Sequence, residues 1–217
     1  MLTSMIALLV LQKDLGQSIL FASVWGIQLF LAGYPLKWMF GLAGTGIAGL
    51  FSAYTFMPHV RRRINEFYAP DGDHYQINRA AQAFNDGGWL GVGPGEGKVK
   101  NAIPDVHNDF IFSVLGEEFG LMACIGVLLV YTLLVLRGIG QAVRFDSLFT
   151  SLVALGAICQ LGLQALINMA STLALIPTKG MTLPFLSYGG SSLLSLAVSI
   201  GIFLAVTRRR SRQESFL

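Results

Sequence analysis

Long apolar runs broken by short polar stretches make up most of the chain, and the length of each run predicts its structure. A helix rising about 1.5 Å per residue needs about 20 largely apolar residues, range about 17 to 25, to cross the hydrocarbon core of a bilayer. Four runs meet that requirement: Gln17 to Gly33, Leu36 to Met57, Phe110 to Leu136 and Thr150 to Ala174. A fifth, Leu186 to Val206, is interrupted by the Gly189-Gly190 pair. The opening run, Met1 to Leu11, has no basic leader and reads as the end of another spanning helix, for about five and a half spans in all. Gly33-Tyr34-Pro35-Leu36 carries residues that stop one helix and start the next, which predicts a tight hairpin. The expectation is an all-α, polytopic transmembrane helical bundle forming a single integral-membrane domain over residues 1–217.

One segment breaks this pattern. Pro58 to Asn108 is far longer than the about 12 to 15 residues beyond which a connection is functional or disordered. It holds 12 of the 27 Asp, Glu, Lys and Arg residues of the chain, six acidic and six basic. Phe67, Tyr68, Tyr75, Phe84 and Trp89 are too many aromatics for a solvated linker, so the loop is expected to pack onto the membrane surface. Within it, Tyr75, Ile77, Ala80, Ala81 and Phe84 have the spacing of a short amphipathic helix lying in the interface.

Composition agrees with a membrane protein. Hydrophobic residues make up 53% of the chain and charged residues 12%, with a mean hydropathy of +0.61, which excludes an ordinary soluble domain. The net charge of +3 does not imply nucleic acid, because the basic residues sit at segment ends, where membrane proteins meet anionic lipid. Cys124 and Cys159 lie in apolar runs and read as small hydrophobes.

Orientation follows from the same basic residues. Arg208, Arg209, Arg210 and Arg212 follow the last run, and Arg137 and Arg144 lie between the two runs before it, so both places and the C-terminus are expected in the cytoplasm. Alternation puts Lys37 there too and makes 58–108 and Leu175 to Phe185 extracytoplasmic. Arg61-Arg62-Arg63 would then lie outside, against the positive-inside rule. Either the parity is shifted and the triplet is a cytoplasmic anchor, or it is an external site for an anionic ligand.

Three features of the loop and its exit carry candidate chemistry. The glycines from Gly87 to Gly97 resemble a phosphate-binding turn, but no βαβ unit fits around them; they form either a tight turn hugging other backbone or a close approach to a phosphate. Next, Ile103 to Phe112 ends with Asn108 and Asp109 at the start of a long span, where either residue can act as N-cap. A capping carboxylate stays ionised and fixed, as a general base must be. Glu117 and Glu118 lie within that span, where ionisable groups face the bundle interior or a wet cavity. At about 100° per residue, Glu117 projects roughly 80° from Asp109 and lies about 12 Å deeper, while Glu118 projects about 180° away. Glu117 is therefore a supporting or partner-binding residue, not half of a catalytic pair.

The run from Pro104 to Gly120, PDVHNDFIFSVLGEEFG, together with LIPTKGMTLPFLSYGGSS ending at Ser192 and QKDLGQSIL from Gln12 to Leu20, resembles the FtsW/RodA (SEDS) family, in its details most like the cell-division branch. The resemblance covers essentially the whole chain and implies the C-terminal part of a larger polytopic fold, with the earlier spans missing. It also implies a peptidoglycan glycosyltransferase that polymerises lipid II into septal glycan strands in the bacterial inner membrane. Its partners would be a class B penicillin-binding transpeptidase and other divisome proteins. The family's essential aspartate falls on Asp109, with Asn108 standing where the family usually has Thr. Arg61, Arg62, Arg63, Arg79 and Lys179 are then candidates for the pyrophosphate of the substrate, with His107 and Ser187 beside it; Lys179 also reads as a snorkelling interface lysine. Glu117, Asn108, Gly189 and Gly190 would support the cavity, the two glycines breaking the last helix beside it. No metal ligand set or cofactor is assigned, and a divalent cation stays open. A lipid-linked precursor flippase and a non-catalytic division scaffold are the rival functions.

Overall fold

The computed structural model describes residues 2–12, 14–68, 75–99, 106–177 and 180–213. Among them every regular element is an α-helix: α1 Leu2–Leu11, α2 Leu15–Leu31, α3 Leu36–Phe56, α4 Pro58–Tyr68, α5 Tyr75–Gly87, α6 Ile111–Ala142, α7 Leu148–Thr172 and α8 Gly190–Gln213. The all-α architecture is the one the apolar runs predict. Helices α3, α6 and α7 and the Gly190–Arg208 part of α8 are long and apolar enough to cross a membrane, and Gly16–Leu31 is a shorter apolar helix. The borderline span is therefore α2, not the last. Gly189-Gly190 does not interrupt α8, because Gly190 is its first residue and residues 184–187 before it fold into turns.

Local chemistry explains the ends of these helices. Asp14 caps α2, its side chain accepting from Gln17 N at 3.0 Å, which relieves one unpaired amide of the first turn. At the other end Gly33 adopts a left-handed φ of 79°, and Tyr34 N closes on Leu29 O at 3.2 Å, so the expected turn before α3 forms on the one residue without a Cβ to clash. The amphipathic helix α5 runs on to Gly87, beyond the Phe84 that the spacing suggests. Helix α4 is one that the apolar pattern does not single out. It begins at Pro58, a residue suited to a first helical turn, and folds back on α3, where Tyr54 Oη donates to Asn65 Oδ1 at 3.0 Å.

The bundle is built around α7, against which α2, α6 and α8 pack, and α5 lies along α6. Small residues set these approaches, as is usual between helices in lipid. A Cβ on Gly138 would lie 2.4 Å from Ile158, one on Gly162 2.8 Å from Val135, and one on Gly156 2.2 Å from Gln28 Nε2. Gln28 in turn donates to Leu152 O at 3.3 Å. Helix α3 is different: none of its apolar window is buried within the chain.

The span beginning at residue 111 is not one continuous helix. Gly120 sits at φ 75° and ψ −177°, which breaks α6 into two pieces. The peptide groups freed by the break are taken up by the glycine-rich loop. Val92 N and Gly93 N donate to Glu117 O and Glu118 O at 2.9 and 3.0 Å, and Leu121 N and Met122 N donate to Gly88 O and Trp89 O at 2.9 and 3.3 Å. Such a break is tolerated at membrane depth only where other protein backbone satisfies it.

Candidate active site

Asp109 stands two residues before the start of α6, half-buried, with Val106 and Phe110 on either side of it turned into a core with Ala80, Ala83 and Val99. Helix α5 and the loop that follows it thus form the floor of the site. The N-cap position itself belongs to Phe110, which has no capping side chain. This corrects the expectation that Asn108 or Asp109 is the cap: each lies just ahead of the position from which a side chain reaches the first free amides.

What fixes Asp109 comes from far along the chain. Asn168, completely buried on α7, donates from Nδ2 to Asp109 O at 2.9 Å and to Met181 O at 2.5 Å. One turn earlier, Gln164 Nε2 donates to Thr182 O at 3.0 Å. Two polar side chains on one face of a spanning helix therefore join the start of α6 to the connection between α7 and α8. Across that connection, Gly180 has a φ of +60°, and a Cβ there would lie 3.3 Å from Asp109 Oδ2. The carboxylate sits where the chain has left out a side chain.

Several further bonds hold the connection down. Tyr188 N donates to His107 O at 2.9 Å, Leu183 N donates to Ser187 Oγ at 2.7 Å, and the Tyr131 hydroxyl donates to Pro184 O. Thr182 and Ser192 share a hydroxyl contact of 2.7 Å. Leu183 is buried in the core with Phe112, Tyr131, Leu161 and Met169. Ala174 and Phe185 are held in left-handed backbone, at φ 61° and 62°, an unusual conformation for residues with a Cβ.

The sequence-derived site residues are only partly brought together. His107, Asn108, Asp109, Ser187, Gly189 and the Gly180 turn converge, with a Cβ on Gly189 3.2 Å from Thr182. Ser187 is buried and closes its own turn. Gly190 is exposed and opens α8. Arg79 lies on α5 and places Nη1 2.9 Å from Gln82 Oε1. Arg61 and Arg62 are exposed on α4, whose packing among the described residues is against α3. Lys179 and the Arg63 side chain lie outside the described residues. Glu117 is 2% exposed, and its Oε1 accepts from Lys98 N and Val99 N at 2.6 and 2.8 Å. It holds the end of the glycine-rich loop, so its support reaches Asp109 through Val99 and the core below.

The glycines of that loop make tight backbone contact. A Cβ on Gly87 would lie 1.9 Å from Gly116 O, and one on Gly91 2.1 Å from Glu118 O. Of the two readings of the glycine run, this is the turn that hugs other backbone. Asn168, Gln164 and Gly180 are the site residues that motif reading misses. The signal for the first two was present, since amides one turn apart in an apolar span are costly unless they have partners. Two buried acceptors, Asn108 Oδ1 and Asn168 Oδ1, have no hydrogen-bond partner among the described residues. No group of three His, Cys, Asp or Glu able to hold a metal occurs among the described residues.

Fold and site define a multi-pass helical membrane protein with a carboxylate held at the mouth of the bundle, between two connections that meet at the same end. A family model described as a cell cycle protein, covering FtsW, RodA and SpoVE, matches residues 1–212. This chain belongs to that FtsW/RodA/SpoVE family. It is 45% identical over 206 residues to a probable peptidoglycan glycosyltransferase FtsW of Caulobacter vibrioides, covering 94% of this chain and 53% of that one. With the protein of the same name from Geobacter metallireducens it is 38% identical over 214 residues, covering 96% and 57%. Among solved structures it resembles a chain of a peptidoglycan synthase complex that coordinates polymerization and crosslinking, with a TM-score of 0.78 and 29% identity over 95% of this chain and 59% of that one. It also resembles the rod shape determining protein RodA of Thermus thermophilus, with a TM-score of 0.62 and 27% identity over 95% and 53%. The chain spans about half the length of the curated relatives it matches.

Proposed function

We propose that this chain carries the catalytic part of a lipid II polymerase, a peptidoglycan glycosyltransferase that builds septal glycan strands in the bacterial inner membrane beside a class B penicillin-binding transpeptidase. In this reading the 58–108 segment and the site lie on the outer side of the membrane and the C-terminus is cytoplasmic. The observation that carries it is the placement of Asp109, with its backbone clamped by Asn168 and its carboxylate set against Gly180.

The reaction joins the anomeric carbon of one lipid-linked sugar to the 4-hydroxyl of another and releases undecaprenyl pyrophosphate. Asp109 takes the proton of the attacking hydroxyl, a role that needs an ionised carboxylate in a fixed position. Charge developing on the departing pyrophosphate is met by pre-placed cations; Arg79 and Lys179 are the candidates nearest in sequence to the two connections. Arg61, Arg62 and Arg63 on α4 are candidates for the same charge.

Polymerisation of lipid II by the full-length protein with its partner, comparing wild type with Asp109→Asn and Asp109→Ala, tests this. Loss of glycan product on the order of a hundredfold or more is expected. Folded variants that polymerise normally remove Asp109 from the role, and variants that polymerise but no longer move lipid across the bilayer point to a flippase.

A further inference from the structure

We propose that the tip of the glycine-rich loop, Trp89 and Leu90, is a wedge inserted into the lipid bilayer beside α6. The two side chains are 68% and 83% exposed, which is costly for a large apolar pair in water. Their depth is fixed by the break in α6, because Leu121 N and Met122 N bond to Gly88 O and Trp89 O. The tip therefore lies at the level of residues 121 and 122 of a spanning helix. Phe119, Leu121 and Met122 at that level are themselves exposed, and Ile125 and Leu129 continue the exposed apolar face along the span.

The level can be placed in the membrane. Arg137 is exposed on the same helix, and an arginine there marks one edge of the hydrocarbon core. From Arg137 back to Leu121 the helix rises about 24 Å, which is inside a core about 30 Å thick. The tip thus sits just within the opposite edge, the depth that tryptophan favours.

The backbone of the tip is prepared for such a place. Gly91 N is paired with Gly87 O at 2.7 Å and Gly88 N with Phe84 O at 3.2 Å, and the bonds to α6 take Gly88 O, Trp89 O, Val92 N and Gly93 N. Such pairing meets the demand that lipid makes on backbone groups. The tip is also packed tightly onto α6, where a Cβ on Gly91 would lie 2.1 Å from Glu118 O. The occupant argued for is lipid, because the tip continues an apolar face that spans the membrane.

Tryptophan emission of the full-length protein in phosphatidylcholine vesicles tests this, using acyl chains brominated near the headgroup end or near the methyl end. The emission component lost in Trp89→Phe is compared with the total, with Trp89→Tyr as a second variant should the first fail to fold. The expected result is loss of that component in brominated lipid, larger with bromine near the headgroup, and protection from aqueous acrylamide. Quenching by acrylamide without an effect of brominated lipid overturns the proposal. Shielding from both quenchers also overturns it, because another protein surface then covers the tip.

Discussion

The backbone of Asp109 is clamped by a side chain from α7, and this makes its neighbours testable one at a time. Asn168 gives both of its amide hydrogens to backbone carbonyls, of Asp109 and Met181. Asn168→Leu keeps the volume but removes both donors, and a buried carbonyl left unpaired costs about 1–3 kcal/mol. A fall in melting temperature in detergent is expected, together with a turnover rate reduced roughly tenfold or more at nearly unchanged KM, because the base is displaced while the sugar-binding surface remains. Gly180 is the second such neighbour. Gly180→Ala puts a Cβ into left-handed backbone, at a cost of about 1–2 kcal/mol, and brings that carbon to 3.3 Å from Asp109 Oδ2. Glycan synthesis should fall more than thermal stability does, read by polymerisation assay and melting curve on the same preparation.

At the scale of elements, α6 is two helices joined through a loop. Gly120 has no room for a side chain, since a Cβ would lie 2.4 Å from Gly91 N, and the left-handed φ adds strain of its own. Gly120→Ala should unfold the junction, with a loss of about 3 kcal/mol or more in denaturant unfolding, the range of clashes with backbone that cannot yield. Glu117 provides a graded test of the same junction. Its carboxylate accepts two amides of the loop, so Glu117→Gln, which keeps one acceptor oxygen, should cost about 1 kcal/mol and Glu117→Leu about 3 kcal/mol. The end of α7 should respond in the opposite direction. Ala174 occupies the left-handed position after the helix, with Leu175 N closing on Ala170 O at 2.9 Å, a place where glycine is preferred. Ala174→Gly should raise the melting temperature, by a gain of about 1 kcal/mol.

For the whole molecule, the helices form a well-packed group around α7 and a less attached pair, α3 and α4. Amide exchange should separate them: α4, packed on α3, should lose protection before α5, which is clamped to α6 by Gly87 against Gly116 and by the edge-on contact of Phe84 with Phe112, centroids 5.8 Å apart. Much of this architecture is legible in the sequence. A bilayer demands apolar runs of a minimum length whose backbone is satisfied within the run, and both are local properties, so α3 and α7 can be read almost to their ends, while α6 and α8 continue well past the apolar runs that announce them. The motif around Asp109 is likewise local. The break at Gly120 and the anchoring of the loop by Glu117 are not, because each depends on a partner about 20 to 30 residues away. The clamp on Asp109 reaches further, 59 residues along the chain to Asn168. Sequence determined which segments enter the membrane and where the carboxylate lies. Only the tertiary structure decided what holds Asp109 in place, because those contacts exist once distant segments pack and have no periodicity of their own.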